Sequence, residues 1–161
     1  MPPPLASVLE AVRRLLDPEQ FRLIPAHVTL CREGELNNLS SMPLASRLAS
    51  PEAKPITLRF GSPESFSHHG VLLPCVAGMH EFHELRRWVL GTSSIEHQEP
   101  HITLAHPRNP RAPNNNMSNA ATLPMGLAIT FTSVCLIRQE GSSPWEVLEQ
   151  HSLTGAKHSD A

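Results

Sequence analysis

Leu5, Val8, Leu9, Val12, Leu15 and Leu16 recur at the three-and-four spacing that lines one side of an α-helix, and Asp17-Pro18 ends the run. The period then changes. Residues 27–32 (HVTLCR) predict a strand, and residues 37–49 a weaker helical segment with Leu39, Leu44 and Leu48 on one face. ITLRF (56–60) and VLLPCV (71–76) predict two strands joined by the turn-rich SPESFSHHG. Pro74 inside the second strand marks an edge or a bulge, because proline cannot donate to a ladder. Met79–Leu90 predicts a second amphipathic helix, with Phe82, Leu85, Val89 and Trp88 turned inward and Gly91 as its C-terminal cap. HITLAH (101–106) is the next strand, PRNPRAPNNN a loop, and a short helix is expected within 116–123. Strands at about 127–132, 134–139 and 145–150 finish the pattern, the last two joined at Gly141-Ser142-Ser143. This order predicts an α+β fold with antiparallel sheet. One domain is expected over residues 1–153, with a polar tail at 154–161.

Composition narrows the partners. A chain of 161 residues with 40% apolar content can build one compact domain or two small lobes sharing an interface. A net charge of −2 supplies no basic field for duplex DNA, so a small substrate or a strand end fits better, and no membrane surface is expected. No apolar run is as long as a membrane span. The N-terminal MPPPLASVLEAVRRLL lacks a signal peptide's basic and apolar regions, so a cytoplasmic location is the expectation. A monomer is expected as well. Cys31, Cys75 and Cys135 are odd in number and widely spaced in apolar stretches, which predicts buried, unpaired thiols in a reducing compartment. The 16 prolines imply short, often broken elements. With 10 histidines in the chain, position must decide which ones matter.

One internal repeat decides it. Pro25-Ala26-His27-Val28-Thr29-Leu30 is echoed by Pro100-His101-Ile102-Thr103-Leu104, with the histidines 74 positions apart. About 0.06 copies of H-x-T-L are expected by chance in such a composition, so a pair should arise in roughly two chains per thousand. On a strand, His27 shares a face with Thr29 and His101 with Thr103, while Val28, Leu30, Ile102 and Leu104 anchor the opposite faces. If the two segments meet, two imidazoles flank a pocket that also offers two hydroxyls.

Such a pocket suits phosphodiester chemistry. In-line displacement needs a base on the attacking oxygen and an acid on the leaving oxygen. Histidine, titrating at about pKa 6.5, can serve as either near neutrality. Threonine hydroxyls can donate to the non-bridging oxygens, where charge builds. The scheme requires neither a metal nor a cofactor.

The paired H-x-T-L motifs resemble the 2H phosphoesterase superfamily, which includes bacterial 2′-5′ RNA ligase-like proteins and cyclic nucleotide phosphodiesterases. The resemblance implies a bilobal fold with two antiparallel sheets related by pseudo-two-fold symmetry around a central cleft, and helices outside. It carries His27 and His101 to the catalytic positions and Thr29 and Thr103 to the phosphate-binding ones. It implies a metal-independent phosphodiesterase acting on 2′,3′-cyclic phosphates or 2′-5′ linkages of nucleotides or RNA ends. Gly34-Glu35 matches the family's Gly-Glu, although Arg32-Glu33 replaces the more apolar pair before it. Relatives often read HxTLAR in the second motif. Here His106 stands at the arginine position and Arg108 lies close by, so both are candidate phosphate contacts. Relatives also commonly begin with a strand before the first helix, so one sheet is expected to lack a strand.

Blander and rival readings stand beside these. His80 and His83 have a spacing compatible with a metal, but a solvated helix start is expected. His68 and His69 read as surface, and His97 as a rim residue without a catalytic role. Phe66 and Trp145 are candidates to stack on a base, though aromatic residues at such places more often pack in a core. The rival functions are a binding module that holds a nucleotide or RNA end without turnover, and a metallohydrolase that uses the many histidines.

Overall fold

A computed structural model of the chain describes residues 3–36, 46–47 and 53–153. Helix α1 (Pro3–Leu16) buries Leu9, Val12 and Leu16, whereas Val8 and Leu15 from the same apolar run stay exposed. The Asp17-Pro18 stop is also a start. The Asp17 carboxylate accepts the Gln20 N–H at 2.9 Å and caps a second helix, α2 (Pro18–Leu23). Proline suits the first helical position because its missing N–H would have had no partner there.

Residues 27–30 do not form the strand their alternation predicts. Side chains hold the backbone here instead: Glu10 accepts the N–H of Ala26, just before the segment, and Gln98 donates to the Thr29 carbonyl at 2.6 Å. A single helical turn, α3 (Glu33–Leu36), follows. Of the helical segment expected over 37–49, only residues 46–47 are described, and the tail at 154–161 lies outside the described residues.

The larger sheet contains β1 (Ile56–Phe60), β2 (Glu64–Phe66), β3 (Gly70–Ala77), β4 (His101–Ala105) and β5 (Ala128–Phe131), all antiparallel. Strand β3 is its centre. Strand β4 lines one edge, β2 and then β1 line the other, and β5 lies beyond β1. Strand β2 falls inside the turn-rich stretch, where no strand is expected. Pro74 therefore sits in a central strand, not at an edge. The expected irregularity is beside it: the β1–β3 register slips so that Phe60 pairs with Cys75 but Arg59 with Ala77.

Helix α4 (Met79–Leu90) has its expected bounds, and Gly91 caps it in the left-handed region at φ 66°, a backbone conformation that favours glycine. Trp88 lies at the margin of its buried face, at 36% exposure. A short α5 (Met117–Ala120) precedes β5. Strands β6 (Ser133–Arg138) and β7 (Glu146–Ser152) form the expected hairpin, which is a separate two-stranded sheet.

The fold is thus α+β with two antiparallel sheets and packed helices, five strands in one sheet and two in the other among the described residues. Helix α1 packs on β4 and α4 on β1. Ile56, Leu58 and Phe60 of β1, Val71 and Leu73 of β3, Ile102 and Leu104 of β4, and Ile129 of β5 are buried with Leu9, Leu16, Phe82 and Val89. Each such side chain contributes about 1.5–3 kcal/mol of burial.

The three cysteines are free thiols, but only two are sheltered. Burial pushes Cys31 up to about 12 and also raises Cys75. Cys135 is exposed, against the expectation of a buried thiol, because it takes an outward place in the alternation of β6. Among the described residues, no helix is long and apolar enough to cross a membrane.

Candidate active site

The second motif is held by the sheet. His101 opens β4 and pairs with Pro74, and Thr103 pairs with Leu72. Ile102 and Leu104 are fully buried, so alternation turns half-buried His101 and Thr103 to the face away from the core. The His101 ring is fixed by a 2.9 Å hydrogen bond between Nδ1 and the carbonyl of Glu99, two residues upstream.

The first motif reaches an equivalent arrangement without a ladder. His27 Nδ1 lies 2.8 Å from the carbonyl of Pro25, again two residues upstream. A carbonyl only accepts, so Nδ1 carries the proton in both rings. Nε2 is left as the atom able to take or give one. Val28 and Leu30 pack against the core. The indole of Trp145 lies against the His27 ring, with centroids 4.4 Å apart and planes tilted by 52°. Trp145 is held in turn by its backbone N–H on the Leu23 carbonyl at 2.9 Å and by its indole N–H on Gln139 at 3.1 Å.

Two buried arginines brace this segment. Arg13 on α1 pairs with Glu10 at 2.6 Å and donates to the Ile24 carbonyl at 2.7 Å. The other Glu10 oxygen takes the Ala26 N–H. Arg86 on α4 pairs with Glu35 and donates to Gln98 Oε1 at 3.0 Å, while Gln98 Nε2 holds the Thr29 carbonyl. Glu35 also accepts the Arg32 N–H at 2.8 Å. Burial raises the Glu35 pKa, but the Arg32 N–H and the Arg86 guanidinium outweigh it and hold this carboxyl below its ordinary value.

Burial, above all, lowers the pKa of His27. The charges of Arg13 and His101 act in the same direction, and the Pro25 carbonyl and Glu10 act against them. The charge of His101 is thus felt at His27, although the two residues are far apart in sequence.

His106 has a scaffold bond. Its backbone N–H donates to Asp17 at 2.8 Å, its Nδ1 accepts the Arg108 N–H at 3.1 Å, and Asn109 also donates to Asp17. Asp17 therefore ties the cap of α2 to the turn after β4. Burial first, then Arg108, lowers the pKa of His106 against the opposing pull of Asp17. Arg108 is exposed.

His97 is exposed, 3.6 Å from Glu99, and packs near His83 at 5.9 Å between ring centroids. Among the described residues, no group of three or more His, Cys, Asp or Glu side chains is arranged to hold a metal ion. A cavity of about 960 Å³, whose walls include Arg47, Ile56, Glu84 and Trp88, includes no residue of either motif.

A family model for the 2′-5′ RNA ligase superfamily matches residues 1–143, a span that takes in both motifs and both braces. The chain belongs to the 2′-5′ RNA ligase superfamily. This is the 2H phosphoesterase superfamily that the repeat resembles, and its members are generally enzymes, phosphoesterases or ligases. A comparison with curated proteins finds no match.

Sequence reasoning did not single out Glu10, Arg13, Arg86 or Gln98. A signal existed for the arginines. Arg13 falls in the Leu9–Val12–Leu16 stripe and Arg86 in the Phe82–Leu85–Val89 stripe, each a charge at a core-facing helical position. A buried charge needs a partner, and the partners here are the site's own supports.

Proposed function

We propose that the protein is a metal-independent phosphodiesterase that opens 2′,3′-cyclic phosphates or cleaves 2′-5′ linkages of nucleotides or RNA ends. The observation that carries this reading is the shared presentation of His27 and His101, each with Nδ1 bonded to the carbonyl two residues upstream. That arrangement leaves Nε2 of each ring as the atom free to exchange a proton, which is what a paired acid and base require. His27, held toward its neutral form by burial, is the base that activates water or a ribose hydroxyl. His101 protonates the departing oxygen. Thr29 and Thr103 donate to the non-bridging oxygens, and His106 and Arg108 are secondary phosphate contacts.

The test is an assay of the pure protein in EDTA against a panel of 2′,3′-cyclic nucleotides and 2′-5′ dinucleotides, with the product isomer identified. Turnover to a single 2′- or 3′-phosphate isomer is expected. Saturable 2′-nucleotide binding with no turnover across the panel would favour a binding module instead, and activity lost with chelator would favour a metallohydrolase.

A further inference from the structure

We propose that Gln98 is a positioning residue that sets the two motifs in register, an inference that rests on the two-histidine reading above. Its side chain is buried, at 6% exposure, and uses both ends. Nε2 donates to the Thr29 carbonyl at 2.6 Å, and Oε1 accepts from Arg86 at 3.0 Å. Arg86 is fully buried and is anchored in turn on Glu35. The residue after Gln98 is Glu99, whose carbonyl fixes the His101 ring at 2.9 Å. Pro100 then restricts Glu99 to extended backbone. One side chain and a three-residue step of backbone thus join Thr29 to His101, two positions that are 72 residues apart in sequence.

The chemistry of the link requires an amide. A carboxylate has no donor for the Thr29 carbonyl, and an ammonium has no acceptor for Arg86. The Arg86 charge strengthens its bond to Oε1 and so holds the plane of the amide. Both ends of the chain of contacts terminate on catalytic geometry: Thr29 at one, the carbonyl that orients His101 at the other.

Gln98→Glu separates placement from folding. It keeps the acceptor for Arg86, whose charge keeps the new carboxylate ionised, and replaces the donor to Thr29 with an acceptor that its carbonyl repels. Wild type, Gln98→Glu, Thr29→Val and the double variant are compared by thermal unfolding, by kcat and KM for a 2′,3′-cyclic nucleotide, and by the Kd for a nucleoside 2′-phosphate. Gln98→Glu should remain folded and lose about 10–100-fold in kcat, with a smaller rise in KM and Kd. In the Thr29→Val background the same change should cost several-fold less than in wild type, because the hydroxyl it positions is already gone and only its hold on the His101 side remains. Gln98→Asn keeps both polar groups on a shorter stem and should show the same split at smaller size, which preserves the test should Gln98→Glu unfold. Wild-type kinetics in Gln98→Glu, or losses that simply add to those of Thr29→Val, would overturn the proposal. A wild type that turns over nothing on the panel ends the phosphodiesterase reading alone, and the cycle measured in Kd then decides the role of Gln98.

Discussion

The two H-x-T-L segments are alike in sequence and in how they hold their histidines, yet the chain supports them by different means. Around His101 the strand ladder of β3 and β4 fixes the backbone, and buried Ile102 and Leu104 fix the face. Around His27 there is no ladder, and the Glu10–Arg13 and Arg86–Gln98 braces grip the backbone on either side. A reactive imidazole needs a fixed ring and a defined tautomer. Either cooperative backbone pairing or a few buried charged side chains can supply them. The cost differs: a ladder spreads the load over many bonds, whereas a buried guanidinium concentrates it in one residue that cannot be removed singly without leaving its partner exposed to desolvation.

The largest effect should fall on both motifs alike. His27→Ala and His101→Ala should each lose about 10²–10⁴-fold in kcat while remaining folded, the size expected for removing a general acid or base. Steady-state kinetics on a 2′,3′-cyclic nucleotide measures it, and a loss in one variant only would break the symmetry of roles. Thr29→Val and Thr103→Val should each cost up to about 10²–10³-fold, as for removal of a donor to developing charge, with unchanged melting.

The supports should then separate. Arg13→Met, which strips the partner from Glu10, should cost about 3–5 kcal/mol in urea unfolding. Its native-state hydrogen exchange should rise around residues 24–30 while the β4 amides stay protected. Leu104→Ala, opening a hole beneath the second motif, should cost about 2–5 kcal/mol with the opposite exchange pattern. Equal loss of protection at both motifs in both variants would mean that the braces are not local.

The smallest effect is in pH. The folded pKa of His27 lies below its ordinary value, so the unfolded chain binds more protons between that value and about 6.5. Stability is therefore fully present above that window and declines as pH falls through it. His106 and His83 add in the same direction, both lowered first by burial. His27→Gln should flatten this decline by its own share, seen in melting temperature across pH 5–8. A steeper decline in the variant would reverse the sign assigned to His27.

Much of this architecture is legible in the sequence. Met79–Leu90 and Ile56–Phe60 announce themselves because burial imposes a period on the sequence and glycine marks the ends, and the β6–β7 hairpin because Gly141-Ser142-Ser143 marks its turn. The segment 27–32 misled for a physical reason. Alternation reports which side chains pack, as Val28 and Leu30 do, and is silent about where the backbone bonds go. Asp17-Pro18 was legible as a stop but not as a cap, since its partners at Gln20, His106 and Asn109 are mostly distant in sequence. The candidate histidines stood out because they recur in a motif. Gln98 did not, because a lone glutamine in a loop acquires meaning only when Thr29 and Arg86 arrive beside it.

The proposed reaction requires the two Nε2 atoms to bracket a single phosphorus. Histidine ring ¹⁵N spectra, recorded while a nucleoside 2′-phosphate is titrated into the protein, address it directly. The Nε2 resonances of His27 and His101 should move together along one saturation curve, with Nδ1 of each still protonated. Movement of one ring alone, or of two rings with different dissociation constants, would contradict it.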